Sequence, residues 1–283
     1  MFGRERLPVK TPQQLLTMRA AGLVVGNCLA HVREQSRAGM TTQHLDRLAE
    51  AFIRDAGATP SFLGYQGFPA TLCISVNDEV VHGIPGERVL AAGDLVSVDC
   101  GAIVDGWHGD AAVTFPISDF AAASDRALTT TTYDALWAAI AAFRPGTGVY
   151  DIGAVIEDTI AAGAQRWNAS GLDLAFDTVD GYTGHGIGTA MHMEPTVYNE
   201  RVRGSGPTIR EGATVAIEPM VTLGGFETHE LEDGWTVLTD DGSRAAHWEH
   251  TVAATAGGLW VLTAIDGGER ELAAVGAPYG PLG

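Results

Sequence analysis

A chain of 283 residues that is 46% hydrophobic can bury a large core, as one extended domain or as two intimate halves, and reads as globular. A formal net charge of −18 argues against a nucleic-acid partner, and a single lysine, Lys10, removes both the P-loop lysine and a Schiff-base lysine for pyridoxal phosphate. Cys28, Cys73 and Cys100 are too few and too scattered for a disulfide framework or a thiolate zinc site. With no signal-peptide pattern and no apolar run near the roughly 18 residues of a membrane span, the chain is expected in the cytoplasm with its thiols reduced.

Thr11-Pro12-Gln13-Gln14 is a capping-box opening with proline at the first helical position. Leu15, Met18, Ala21, Val25, Cys28 and Val32 then keep helical spacing, with Gly39 as a stop. A second helix is predicted over about residues 42–56, with Leu45, Leu48, Phe52 and Ile53 on one face. The loop 60–69 presents Phe62, Tyr65 and Phe68 between glycines, which suits a plug at the edge of the core or the wall of an apolar pocket. Residues 70–81 read as one strand ending in His82, a lone histidine whose commonest role is structural.

Residues 95–104 and 107–115 are rich in β-formers around Asp105-Gly106, a two-residue hairpin signal. With that pair in the turn, Gly101 lies opposite Asp110 and Asp99 opposite Ala112. Asp99 and Asp110 become diagonal neighbours on one face, about 7 Å apart at Cβ, and Gly101 leaves the space between them empty. Residues 124–143 and 151–169 read as two further amphipathic helices. Two helices followed by strands, twice, suggests duplicated α+β halves.

Several polar residues sit where apolar ones belong. Asp99 lies inside Leu-Val-Ser-Val, Glu218 and Glu249 each interrupt a strand-like run, and His185 lies among the glycines of Gly184-His-Gly-Ile-Gly188. A buried ionised carboxylate must be paired or metal-bound. Four converging carboxylates would repel, whereas two divalent cations would neutralise them, and hard oxygens with one imidazole suit Mn, Fe, Co or Zn. Nucleophilic-serine and single-zinc readings are weak: Gly-x-Ser-x-Gly is absent, and His229-Glu230 lacks the second histidine of His-Glu-x-x-His.

In these residues, from about Thr11 to Leu262, the chain resembles the methionine aminopeptidases, specifically the short type I form. Val-Val-His82-Gly-Ile-Pro, Gly-Trp-His-Gly-Asp110, Gly-His185-Gly-Ile-Gly, Ile-Glu218-Pro-Met and Glu249-His-Thr carry the likeness. The resemblance implies a pita-bread α+β fold, two pseudo-symmetric halves around a curved antiparallel sheet, with an N-terminal arm at 1–10, a single catalytic domain at 11–265 and a C-terminal tail at 266–283 of unassigned role. It implies five ligands for two divalent ions (Co, Mn, Fe or Zn): Asp99 on one, His185 and Glu218 on the other, Asp110 and Glu249 bridging. Glu218 would also shuttle a proton, and His82 and His192 would act on the scissile peptide.

The methionine pocket would be formed by Phe62, Tyr65, Phe68, Cys73, Met191 and Trp235, beside His82 and His192. Phe62, Gln66 and Met191 depart from residues found in some members, which bears on pocket shape rather than on the reaction. The implied activity is removal of the initiator methionine from nascent polypeptides with a small second residue, by a monomer in transient contact with the ribosome, without membrane or specific nucleic-acid partners. The alternatives are a same-fold enzyme that cleaves before proline and a binding homologue that has lost the chemistry. The short N-terminus disfavours the first, and the complete residue set the second.

Overall fold

The computed structural model of the protein describes residues 7–282, so the first part of the expected N-terminal arm lies outside the described residues. Thr11 caps α1 (Pro12–Gln35) as its sequence dictates: the Thr11 hydroxyl accepts from the Gln14 N–H, and the Gln14 side chain accepts from the Thr11 N–H at 2.8 Å. The helix stops before Gly39, because Ser36 becomes extended while its N–H still closes onto the Val32 carbonyl; Gly39, at φ +92°, serves the turn that follows. In α2 (Thr42–Asp55), Leu45, Ala49 and Ile53 recur one turn apart and are buried. α1 is also long and apolar enough by length and composition to cross a membrane, where no such run was expected from the sequence. Its apolar stripe is covered here by the sheet.

The central hairpin forms in the predicted register. Strands Leu95–Val104 and Trp107–Pro116 pair around Asp105 (φ +48°) and Gly106 (φ +78°), with Asp99 opposite Ala112 and Gly101 opposite Asp110. Two consecutive left-handed residues match the right-handed twist of the strands. Residues 70–81, expected as one strand, are two, Leu72–Val76 and Glu79–Val81. Asn77, at φ +65°, breaks them, and its side-chain oxygen accepts from the Leu95 N–H at 2.9 Å. Asparagine tolerates that conformation because its short polar side chain bonds locally.

The second half repeats the order. After α3 (Ala123–Ala142) and α4 (Asp151–Ala169) comes an antiparallel sheet ordered Gly258–Val261, His250–Thr255, Thr214–Ile217, Gly184–Gly186 and Met193–Val197. Each half has its own core: Val25, Cys28, Leu45, Ile53, Leu72 and Val98 in the first, Leu128, Leu136, Ile140, Phe143, Ile156 and Val215 in the second. The three cysteines are buried free thiols. The segment after Ile265, which shows little core-forming pattern, nevertheless docks. It forms α5 (Glu269–Ala274), drives Leu272 into the second core, and bonds both ways with Leu259 through the Pro278 carbonyl and the Gly280 N–H.

Two features join the halves. The Glu249 N–H donates to the Ala112 carbonyl at 2.9 Å and the Ala112 N–H to that of Glu249 at 3.3 Å, while the Thr251 hydroxyl accepts from the Asp110 N–H and donates to the Asp110 carbonyl. α1 lies across this seam. A Cβ on Gly109 would stand 2.7 Å from the Gly22 nitrogen, and one on Gly22 2.2 Å from the Leu262 carbonyl oxygen, so the glycines permit main-chain contact on both sides of the helix. Arg19 then donates to the Leu262 and Ile265 carbonyls.

Gly109→Ala should therefore cost about 1–3 kcal/mol, because its methyl must displace main chain rather than a flexible side chain. Urea denaturation reads this as a lower midpoint at unchanged slope. An unchanged midpoint would mean that α1 is free to move away from the hairpin.

Candidate active site

All the residues singled out from the sequence line one cavity of about 330 Å³ where the halves meet. One wall is apolar: Phe62, Phe68, Cys73 and Met191 are buried together, with Tyr65 and Trp235 packed against them. Phe68 meets Trp235 edge-on at 5.1 Å between ring centroids. The aromatic loop is thus a pocket wall rather than a plug. Gly101 does not leave empty space between the aspartates: a Cβ there would fall 2.7 Å from Ser61 Cβ and 2.8 Å from Phe62 Cε1. Glycine at this position admits the aromatic loop onto the hairpin.

The opposite wall is polar. Cys73 faces Asp99 across the strand pair, and Asp110 stands on the same hairpin face. His185 sits in a short strand between two others, at an irregular register step, where a Cβ on Gly184 would lie 2.5 Å from the Ala216 carbonyl oxygen and one on Gly186 2.2 Å from that of Glu194. The flanking glycines therefore let three strands close around the imidazole. His185 Nδ1 lies 3.0 Å from the Gly186 carbonyl. A carbonyl only accepts, so Nδ1 carries the proton and Nε2 offers its lone pair to the cavity. Glu218 follows Thr214–Ile217 at Pro219, with Oε1 3.4 Å from His185 Nε2. Glu249 is fixed by its main-chain pair with Ala112.

Burial dominates the electrostatics. Removal from water pushes Asp99 and Glu218 each up to about 7, and Asp110 and Glu249 well above the usual carboxylate range, neighbouring carboxylates adding to the shift in these last two. Asp99 Oδ1, Asp110 Oδ1 and Glu249 Oε1 are buried without a hydrogen-bond partner. Asp110, His185 and Glu249 could share an ion through atoms within 4.8 Å of one another, and so could Glu218, His247 and Glu249. Orphaned carboxylate oxygens beside an imidazole nitrogen form a donor set that fits divalent transition metals.

His82 and His192 flank this wall. His82 stands at φ +59° in the left-handed region, its ring edge-on to Tyr182 and Trp235. Burial lowers it to about 4 and also lowers His192, so both rings are neutral near pH 7. His192 Nδ1 lies 2.8 Å from the Tyr65 hydroxyl, and its ring packs against His185 at 4.4 Å. His247, which the sequence analysis does not single out, lies 3.5 Å through Nε2 from Glu218 Oε2. Its signal was present: it stands two residues before Glu249 in a strand-like run, hence on the same face.

The profile of Metallopeptidase family M24 matches residues 17–256. "Methionine aminopeptidase 1" of Mycobacterium tuberculosis is 50% identical over 262 residues, covering 92% of this chain and 96% of that protein, and the protein of the same name in Bacillus subtilis is 39% identical over 256 residues, covering 90% and 98%. The crystal structure of methionine aminopeptidase from Thermotoga maritima superposes with a TM-score of 0.85 at 36% identity, covering 91% of this chain and 99% of that one. Prolidase from Pyrococcus furiosus superposes with a TM-score of 0.69 at 19% identity, covering 90% and 65%, a likeness of fold alone. The α+β pita-bread architecture of these neighbours is the one described here.

A carboxyl whose pKa folding raises favours the folded state fully below its unfolded pKa and loses that contribution as pH climbs through the folded value. For Asp99 the limits are 3.8 and about 7, for Glu218 4.5 and about 7. Buried neutral histidines such as His82, lowered to about 4, act in the opposite direction over the same range, so from about pH 4 to 7 the melting temperature of the metal-free native protein should fall relative to that of Asp99→Asn, and a divalent ion should raise the native value more above that window than below it. A difference in melting temperature between the native chain and Asp99→Asn that stays constant through the window would contradict the burial of Asp99.

Proposed function

The chain belongs to metallopeptidase family M24, and within it to the type I methionine aminopeptidases, and we propose that its cavity removes the initiator methionine of new polypeptides when the second residue is small. What carries the reading is one cavity with two walls, an apolar one and a wall of buried, partnerless carboxyl oxygens. Members of this family bind divalent metal. Our proposal is that two ions are held by Asp99, Asp110, His185, Glu218 and Glu249, with cobalt, manganese, iron and zinc as candidates. When bound, such ions supply Lewis acidity and bring a water toward ionisation near neutral pH.

The remaining chemistry belongs to the chain. The pocket of Phe62, Tyr65, Phe68, Cys73, Met191 and Trp235 receives the methionine side chain, an unbranched polarizable thioether that gains from sulfur–aromatic contacts. Glu218 takes the proton of the attacking water at its carboxylate and returns it to the leaving amine. Neutral His82 and His192 donate hydrogen bonds to the scissile peptide and to the oxyanion that develops on its carbonyl. With the Tyr65 hydroxyl donating to His192 Nδ1, the imidazole hydrogen resides on Nε2. Residues 11–265 carry the catalytic groups in this reading, with the segment from 266 onward packed onto the same domain through Leu272 and Leu259. The enzyme acts as a cytoplasmic monomer that meets nascent chains by transient ribosome contact; the charge of −18 supports the absence of a direct, specific nucleic-acid partner.

The test is a Met-x-Ser peptide series under fixed metal. Met-Ala-Ser should be cleaved with far higher kcat/KM than Met-Lys-Ser and faster than Leu-Ala-Ser, while Ala-Pro-Ala should resist. Equal rates for the first two would refute the steric gate, and preference for Ala-Pro-Ala would favour the proline-directed alternative. His192→Ala should lose on the order of 100-fold in rate, about 3 kcal/mol, while keeping its metal. Loss of metal, or full activity, in that variant would refute its role.

A further inference from the structure

His247 lies outside the ligand set that the resemblance implies, yet it shares the same buried space. It ends the strand Ala245–His247 and is 3% exposed. Its main chain is locked to the hairpin: its N–H donates to Thr114 Oγ1 at 2.9 Å, and its carbonyl accepts from that hydroxyl at 2.7 Å. With the backbone clamped on the hairpin, the ring points into the cavity. Nε2 has no hydrogen-bond partner, although a buried polar nitrogen without one is costly.

The distances around Glu218 show what Nε2 can do. Glu218 Oε1 lies 3.4 Å from His185 Nε2, and Glu218 Oε2 lies 3.5 Å from His247 Nε2. Two ligand atoms each about 2.1 Å from one ion at a tetrahedral angle stand roughly 3.4 Å apart. The separations are long for hydrogen bonds and suitable for edges of a coordination shell. Glu218 thus presents one oxygen to each of two imidazoles, and Glu218, His247 and Glu249 bring their ligand atoms within 4.8 Å of one another.

We propose that His247 is a sixth protein ligand, supplying an imidazole nitrogen to a metal position it shares with Glu218 and Glu249; Glu218 then reaches both ions, one through each oxygen, rather than the ion of His185 alone as the resemblance implies, and each ion is held by one histidine. This rests on the two-metal reading above. A nitrogen donor at an otherwise all-carboxylate position shifts its preference from manganese-like hard ions toward iron, cobalt and zinc.

Proton NMR of the cobalt(II)-substituted protein in water tests it, since a coordinated imidazole with a protonated second nitrogen gives a strongly shifted, solvent-exchangeable N–H signal. With two cobalt ions bound, two such signals are expected in the native chain and one in His247→Gln. Calorimetric titration should show one of the two cobalt dissociation constants raised at least tenfold in that variant, the other moving little. A single shifted N–H signal in the native chain with both positions filled would overturn the assignment, and needs no variant. Unchanged affinities in a folded His247→Gln would do the same and leave His247 as a hydrogen-bond donor to a ligand carboxylate. Failure of the native chain to take up a second cobalt ion would overturn the two-metal reading along with this one.

Discussion

Four carboxyl groups withdrawn from water into one cavity are the constraint around which the molecule is built. Asp99 and Asp110 come from the first half, Glu218 and Glu249 from the second, and burial raises the pKa of all four. A surface loop could not hold them so, because water would screen the charges and the loop would spread. The hairpin and the Thr214–Ile217 strand hold the backbone rigidly enough that repulsion cannot be relieved by movement. Protons or divalent cations are what can relieve it.

That rigidity depends on the seam. The main-chain exchange between Ala112 and Glu249 and the hydroxyl of Thr251 on Asp110 tie the carboxyl-bearing strands of one half to those of the other, so the distance between opposing carboxyls is set by backbone hydrogen bonds. α1 locks the arrangement from behind, its glycine contacts with the hairpin and with Leu262 bringing helix and strands to main-chain distance. Rigid elements position a site more accurately than loops do. Glycine recurs for the same reason on the other side of the cavity, where Gly184 and Gly186 let neighbouring strands close on His185.

The apolar wall has a different logic. Phe62 and Ser61 pack into the volume above Gly101, anchoring the aromatic loop to the hairpin one step from the carboxyls, so that a side chain held against Phe68, Met191 and Trp235 places its backbone beside the polar wall. Tyr65 serves both walls, since its ring belongs to the apolar cluster and its hydroxyl meets His192 Nδ1. His82 keeps its place at a left-handed backbone angle between Tyr182 and Trp235, a conformation that an ordinary residue adopts only when its surroundings insist.

The sequence by itself determined whatever depends on neighbours along the chain. The Thr11 cap, the spacing of Leu45 and Ile53, the Asp105-Gly106 turn and hence the register that sets Asp99 beside Asp110 are short-range matters, and each is visible in adjacent residue types. The chemical anomaly of Asp99, Glu218 and Glu249 was legible too, because an acid inside an apolar run is out of place wherever it folds. Tertiary structure alone decided the rest. Gly101 looked like a gap until Phe62 arrived from a segment forty residues earlier. The tail shows little core-forming pattern and had no role assigned from sequence, and Leu272 joins the second core through residues of other elements. His247 carried no function while it was only a histidine two positions before a glutamate. It became part of the site because Thr114 clamps its backbone and Glu218 meets its ring, and both partners are distant in sequence and near only in the folded chain.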